Sequence, residues 1–178
     1  MTVRYLVMPR GINVGTRNRV PMADLRSSLA DAGYGDVATV LQSGNIIVSS
    51  ETDDPAGVGD DVRRLLRDDF EVNVACVARS ADEVRAVFDR NPLADVVDDG
   101  SRYLVNFLSE VPDAAALDAL MAEDHAPEVI VCEGAEVYVW TPGGVKAMTV
   151  SYSYLEKRLG VTVTARNWNT LQKVIAKF

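Results

Sequence analysis

The stretch "VATVLQSGNIIVSS", residues 37–50, predicts two β-strands joined by a tight turn. β-Branched and other apolar residues dominate both ends, and Ser43-Gly44 between them is a typical turn dipeptide. We place the strands at about 37–42 and 45–50. Two strands joined by so short a turn are antiparallel, because consecutive parallel strands need a long crossover.

The elements on either side of the hairpin complete a βαββαβ half at residues 1–79. Upstream, we predict a strand at about 3–9 and a helix at about 21–32, which begins at Pro21 and ends before Gly33. Downstream, a strand at about 72–78 follows a helix. The apolar face of that helix carries Val58, Val62, Leu65, Leu66 and Phe70.

A connector at residues 80–100 leads to a second half with the same order. Its short helix begins with the capping box Ser80-Ala81-Asp82-Glu83 and ends near Asn91-Pro92. Residues 101–178 predict strands at about 102–108, 128–132, 136–141 and 161–166, with helices at about 112–124 and 147–159 and a final helix from Trp168. The order βαββαβ therefore occurs twice, and the second copy ends in an additional helix.

This repeated order predicts an α+β protein of two ferredoxin-like halves. In each half the sheet is antiparallel and the helices cover one face. The first strand pairs with the third in this arrangement. We therefore expect the end of the first strand, at Arg10-Gly11, to lie beside the start of the third, at Gly44-Asn45.

The joint between the first strand and the first helix is unusually long. It takes residues 11–20, whereas the equivalent joint of the second half has only "SEV" before Pro112. Long ordered connections in compact domains are often functional. Up to Ala23 the chain has four arginines and no carboxylate, although its net charge is −8. The joint is therefore a local positive region in an acidic protein.

We predict that this edge binds a small anionic metabolite. The N-terminus of the helix at Pro21 favours an anion, and nearby arginines add charged donors. The predicted ligand-binding residues are Arg10, Gly11, Asn13, Gly15, Arg17, Arg19, Gln42, Ser43, Gly44 and Asn45. A structural interpretation also stays open, in which the glycines permit positive φ, the asparagines cap turns and the arginines pair with aspartates.

The segment "TARNWNT", residues 164–170, has two interpretations. Asn167 can cap the final helix while Trp168 anchors it. Alternatively, Arg166, Asn167 and Trp168 reach the same edge, where Arg166 completes an anion site opposite Arg10. The sequence leaves both interpretations open.

The sequence supports no cofactor, metal site or catalytic residue. Gly11–Gly15 lacks the GK[ST] of a P-loop and the spacing of a dinucleotide fingerprint, so ATP and NAD are not predicted. His125 is the only histidine and "LQSGN" is not a nucleophile elbow, which argues against a catalytic triad. Cys76 and Cys132 are predicted to be free thiols. Whether the protein is an enzyme stays open.

Charge and hydropathy give expectations about partners and location. A net charge of −8 works against binding to nucleic acid or to anionic lipid. The opening "MTVRYLVMPR" resembles neither a signal peptide nor a membrane span, so we expect a cytoplasmic monomer or homodimer with no membrane partner.

Aromatic residues of the second half suggest a rival site. Tyr103, Phe107, Tyr138 and Trp140 alternate along two strands that are predicted to pair. We expect Tyr138 and Trp140 to point away from the helices of their half. The aromatic face is then either packed or a cleft for an apolar ligand, and a structural or interaction module is the third class of function.

Three motifs resemble one known family. "RGINVGTRNRVPMADL", "LQSGNIIVSS" and "TARNWNTLQKV" are similar to segments of the bacterial family of unknown function numbered 1697, and the resemblance spans nearly the whole chain. It implies a duplicated, intertwined ferredoxin-like fold and no established reaction. Its signature positions here are Arg10, Gly11, Asn13, Gly15, Gln42, Ser43, Gly44, Asn45, Arg166, Asn167, Trp168 and Asn169.

Overall fold

The computed structural model describes residues 1–178, which form two compact units. The first unit comprises Met1–Asp89 together with Lys173–Phe178, and the second comprises Arg90–Gln172. Each unit contains one four-stranded antiparallel sheet.

The first unit has the predicted βαββαβ order, followed by a short helix. Its elements are β1 (Val3–Pro9), α1 (Met22–Asp31), β2 (Gly35–Val40), β3 (Asn45–Ser50), α2 (Pro55–Phe70), β4 (Cys76–Ser80) and α3 (Ala81–Arg90). The strand order β2-β3-β1-β4 places β1 between β3 and β4, with Val7 opposite both Ile46 and Ala78. The predicted pairing of the first and third strands is confirmed.

The core of the first unit lies between one face of this sheet and the helices α1 and α2. Side chains alternate across a strand, so Tyr5 and Val7 of β1 face the same side. They pack in one buried cluster with Leu25 and Leu29 of α1 and with Val62 of α2. Burial of these apolar side chains is the main force that fixes α1 against the sheet.

The second unit repeats the order and ends in a helix. Its elements are β5 (Tyr103–Leu108), α4 (Ala114–Met121), β6 (Val129–Glu133), β7 (Glu136–Trp140), α5 (Tyr152–Leu159), β8 (Val163–Asn167) and the first five residues of α6 (Trp168–Ile175). The strand order is β6-β7-β5-β8. The predicted α+β class with antiparallel sheets and a C-terminal helix is confirmed. None of the helices has both the length and the apolar character needed to cross a bilayer.

The prediction of a helix from residue 147 was wrong, because α5 begins at Tyr152. The buried Glu128 carboxylate accepts hydrogen bonds from the backbone N–H of Thr149 at 2.8 Å and of Val150 at 3.1 Å. Ser151 then caps the helix by accepting a hydrogen bond from Tyr154 N at 3.2 Å. A side chain distant in sequence therefore replaces the helical bonds of this segment.

Two other predicted boundaries also shift. The helix α4 ends at Met121 rather than near 124, because the Leu120 carbonyl contacts His125 Nε2 at 2.7 Å. The strand β4 begins at Cys76 rather than 72, because Val72 N donates to Leu66 O at 3.0 Å and closes the end of α2. In both cases a local hydrogen bond closes the end of a helix. The neighbouring residues are therefore not part of the helix or strand that their apolar pattern predicted.

The aromatic face of the second sheet is buried. Leu104, Val137 and Val139 belong to the core beneath α4 and α5, so Tyr138 and Trp140 point away from these helices as predicted. Tyr138 is fully buried and Trp140 is 6% exposed. Burial raises the pKa of Tyr138 to about 12. Of the two alternatives drawn from the sequence, the aromatic face is packed and forms no open cleft in this structure.

Candidate functional site

Asn13 holds together the long joint between β1 and α1. Its Oδ1 accepts a hydrogen bond from Val20 N at 2.8 Å, and its Nδ2 donates to Val20 O at 2.9 Å and to Gln42 O at 2.7 Å. Asn13 adopts a left-handed conformation with φ 54°, which asparagine tolerates better than most residues. One side chain thereby connects the loop, the start of α1 and the β2–β3 turn.

Ile12 gives this loop an apolar anchor on the β2–β3 turn. The Ile12 side chain is fully buried, and a Cβ on Gly44 would overlap its Cδ1 atom and lie 2.9 Å from its Cγ1. Gly44 also has φ +74°, which favours glycine. The predicted juxtaposition of the loop, the turn and the start of α1 is confirmed by these contacts. We call this region the RGINVG/QSGN edge.

Several predicted site residues hold the RGINVG/QSGN edge together through internal hydrogen bonds. Asn45 is fully buried, and its Nδ2 donates to Val40 O at 2.8 Å across the turn. Arg10 N donates to Ala75 O at 2.8 Å, which ties the start of the loop to the segment before β4. Gly44 and Asn45 therefore shape the turn, and other residues form its surface.

The outer surface of the RGINVG/QSGN edge is positively charged. Arg17 and Arg19 are exposed, and neither side chain forms an ion pair or hydrogen bond within the chain. Arg17 lies in a small hairpin, where its N–H donates to Val14 O at 3.3 Å. The other exposed predicted residues are Gly11, Gly15, Gln42 and Ser43. The aspartate pairing expected from the structural interpretation is not observed for Arg17 or Arg19.

The helix α1 begins at this edge without a side-chain cap. Its N-cap residue is Pro21, in extended conformation, and no side chain accepts a hydrogen bond from the first turn. The first-turn peptide N–H groups and the helix dipole favour an anion, although Asp24 of the same turn opposes one. The edge thus offers donors and positive charge, which suit binding better than proton transfer.

The TARNWNT segment lies at the junction of β8 and α6. Asn167 Oδ1 accepts a hydrogen bond from Thr170 N at 2.8 Å, so the capping interpretation is confirmed. Arg166 is 9% exposed, and its Nη1 donates to Thr164 Oγ1 at 2.9 Å. The Trp168 ring stacks on Tyr103 with ring centroids 5.0 Å apart. Participation of Arg166 in an anion site stays a prediction.

One pocket of the second unit was not predicted from the sequence. It has a volume of about 280 Å³ and lies between the loop after α3 and the start of α6. Its walls come from the acidic "DVVDDG" loop, residues 95–100, and from the RNWN motif, residues 166–169, and nothing in the spacing of these segments predicts that they meet. Gly100 joins them, because its carbonyl accepts a hydrogen bond from Trp168 N at 3.1 Å.

Comparison with known proteins places the chain in a family. No curated protein matches it. The structure is similar to that of the conserved bacterial protein SP0830 from Streptococcus pneumoniae, with a TM-score of 0.78, 23% sequence identity and 99% coverage of both chains. That likeness shows the fold. A model of the family described as "Protein of unknown function (DUF1697)" matches residues 1–138. The chain therefore belongs to this family of unknown function.

Proposed function

We propose that the RGINVG/QSGN edge binds a small anionic metabolite. The observation that carries this proposal is the pair of exposed arginines, Arg17 and Arg19, with no partner in the chain beside the uncapped start of α1. Exposed guanidinium groups provide paired donors for carboxylate or phosphate. The proposal concerns binding and assigns no reaction.

The construction of the loop supports the same proposal. Asn13 and Ile12 hold the loop through three hydrogen bonds and one buried side chain, so its backbone is fixed before a ligand arrives. A fixed loop loses less conformational entropy on binding than a loose one. Space around Gly11 and Gly15 adds to this, because a Cβ built on either residue meets no atom within 4 Å. An anion can therefore approach the backbone closely.

The proposal is tested by the anion dependence of the melting temperature. Phosphate, sulfate and nucleotides are titrated into the wild type at constant ionic strength, and into the Arg17→Ala/Arg19→Ala variant. The control is Arg64→Ala/Arg85→Ala, which removes two exposed arginines that form surface ion pairs with Asp61 and Asp82. Both variants lose the same charge, so diffuse electrostatics change equally in the two.

We expect at least one anion to raise the melting temperature of the wild type and of the control. An anion at a hundred times its Kd stabilises the folded state by about 2.7 kcal/mol. The Arg17→Ala/Arg19→Ala variant should lose this response. Equal responses in both variants, or no response in the wild type, would contradict the proposal and favour an interaction module.

A further inference from the structure

The pocket of the second unit has walls of unusual chemistry. Its volume of about 280 Å³ is lined by two aromatic residues, the half-buried Trp168 and Tyr103, which is only 1% exposed. The remaining lining residues are carboxylates, amides and small residues: Asn91, Ala94, Val97, Asp98, Asp99, Gly100, Asn169 and Gln172. No lysine or arginine lines the pocket, so its charged groups are all negative.

The two carboxylates differ in their surroundings. Asp99 Oδ1 accepts hydrogen bonds from Ser101 N at 2.9 Å and from Ser101 Oγ at 2.7 Å, and its Oδ2 lies 3.4 Å from Arg102 Nε. The hydroxyl of Ser101 is the largest cause that lowers the pKa of Asp99. Asp98 is exposed and has no partner in the chain. The charge of Asp98 is therefore uncompensated at the mouth of the pocket.

The amide wall is held in place by a close backbone approach. A Cβ on Gly100 would overlap Asn169 Oδ1 and lie 3.2 Å from Asn169 Cγ. The absence of a side chain at Gly100 thus lets the Asn169 amide lie directly against the loop. Asn91 Oδ1 accepts a hydrogen bond from Tyr103 OH at 3.0 Å, which fixes a second amide among the lining residues of the pocket.

We propose that this pocket binds a small organic cation of the primary amine class. An ammonium group has three N–H donors and no acceptor, which matches a wall of carboxylate and amide oxygens. Its alkyl part can lie against the half-buried Trp168 ring, and an aromatic ring of this kind also attracts a cation. A volume of 280 Å³ is near the lower end of small-molecule sites, about 300–1,000 Å³, so the ligand is small.

This inference goes beyond the proposed function and is independent of it. The anion proposal concerns Arg17 and Arg19 of the first unit, whereas every lining residue of the pocket belongs to the second. An anion in the pocket would meet the uncompensated Asp98 carboxylate. Failure of one proposal therefore leaves the other untouched.

The test uses 1,4-diaminobutane as the probe, with 1,4-butanediol as its uncharged counterpart. Binding is measured by isothermal titration calorimetry with the full-length chain. A parallel measurement follows the fluorescence of Trp168 in a Trp140→Phe background, because Trp140 is the other tryptophan. The informative variant is Asp98→Asn, and Asp95→Asn on the same loop is its control, since Asp95 is exposed and does not line the pocket.

We expect the diamine to bind the wild type and to change Trp168 fluorescence, while the diol does neither. Asp98→Asn should weaken diamine binding about tenfold, since it removes a charge-assisted hydrogen bond, and Asp95→Asn should change it less than about twofold. Gly100→Ala should also weaken binding, because the added methyl group displaces Asn169. Equal weakening in both aspartate variants would show only diffuse attraction and overturn the inference. Absence of binding to the wild type would also overturn it.

Discussion

The joint between β1 and α1 and the joint between β5 and α4 have the same position in their two units, but they are built differently. Between β5 and α4 only residues 109–113 intervene, and Asp113 caps the helix by accepting hydrogen bonds from Ala115 N and Ala116 N. Residues 10–21 connect β1 to α1, and no side chain caps the start of α1. The longer joint is therefore not a requirement of the fold.

The hairpin turns also differ in length, and the longer turn again belongs to the first unit. The second unit turns from β6 to β7 through Gly134-Ala135 alone, whereas the first unit uses Leu41–Gly44 between β2 and β3. Because Asn13 bonds to Gln42 and Ile12 packs at Gly44, the longer turn and the longer joint form one structure. The first unit thus has a long joint and a long turn, which we call elaborated and which form the RGINVG/QSGN edge. The second unit has a short joint between β5 and α4 and a short turn between β6 and β7, which we call minimal.

The largest effect is expected at the glycine of the elaborated turn. Gly44→Ala forces a methyl group into Ile12 and a left-handed conformation on alanine, and should lower the free energy of unfolding by about 3 kcal/mol. The matched control is Gly134→Ala, which has φ +58° but nothing within 4 Å of its Cβ position, and should cost about 1 kcal/mol. Urea denaturation measures both. Equal costs would show that Ile12 does not anchor the loop.

A smaller effect is expected from the side chain that connects the elaborated edge. Asn13→Ala removes three side-chain hydrogen bonds and should lower the free energy of unfolding by about 2 kcal/mol. Asn18→Ala has a similar positive φ and removes one side-chain bond, to Gly11 O, so it should cost about 1 kcal/mol. Urea denaturation again provides the measurement. If Asn13→Ala costs no more than Asn18→Ala, the edge is held by other contacts.

The minimal joint should respond to the loss of its cap. Asp113→Ala removes the acceptor at the N-terminus of α4 and should lower the free energy of unfolding by about 1 kcal/mol. Added phosphate should not change this cost, because the joint has no cationic side chain between residues 109 and 113. A phosphate effect at this position would weaken the contrast between the two joints.

The smallest effect on stability is expected when the joint between β1 and α1 is given a side-chain cap like the one that Asp113 gives α4. Pro21→Asp supplies a capping carboxylate to α1 and removes the fixed φ of proline, so the free energy of unfolding should change by less than about 0.5 kcal/mol. The variant should nevertheless lose its thermal stabilisation by anions, because the new carboxylate occupies the helix N-terminus. Retention of the wild-type anion response would exclude α1 from the anion site.

Much of the fold was predictable because its signals are local. The apolar runs on either side of Ser43-Gly44 located the hairpin, and the Ser80–Glu83 capping box is present, with Ser80 N donating to Glu83 Oε2 at 2.7 Å. The start of α5 was not predictable, since Glu128 lies more than twenty residues before the N–H groups that it binds. Boundaries fixed by distant side chains leave no trace in local periodicity.

The candidate site was predictable only as a neighbourhood. The pairing of the first and third strands was enough to bring Arg10-Gly11 near Gly44-Asn45. The sequence could not show which residues hold the edge together and which form its surface. That distinction depends on burial, since Asn45 is internal while Arg17 is exposed. The second-unit pocket was not predictable, because its two walls are about seventy residues apart in the sequence and meet only through Gly100.

The central claim is that the RGINVG/QSGN edge of the first unit binds an anion, whereas the joint between β5 and α4 of the second unit does not. A titration with the anion that raises the melting temperature most, followed by ¹H–¹⁵N correlation spectra of the wild type, tests both joints in one sample. We predict saturable shifts of the backbone amides of Gly11, Gly15 and Ala23, with the amides of Glu110, Ala115 and Ala116 unmoved. Absence of saturable shifts at the elaborated edge, or equal shifts at both joints, would contradict the account.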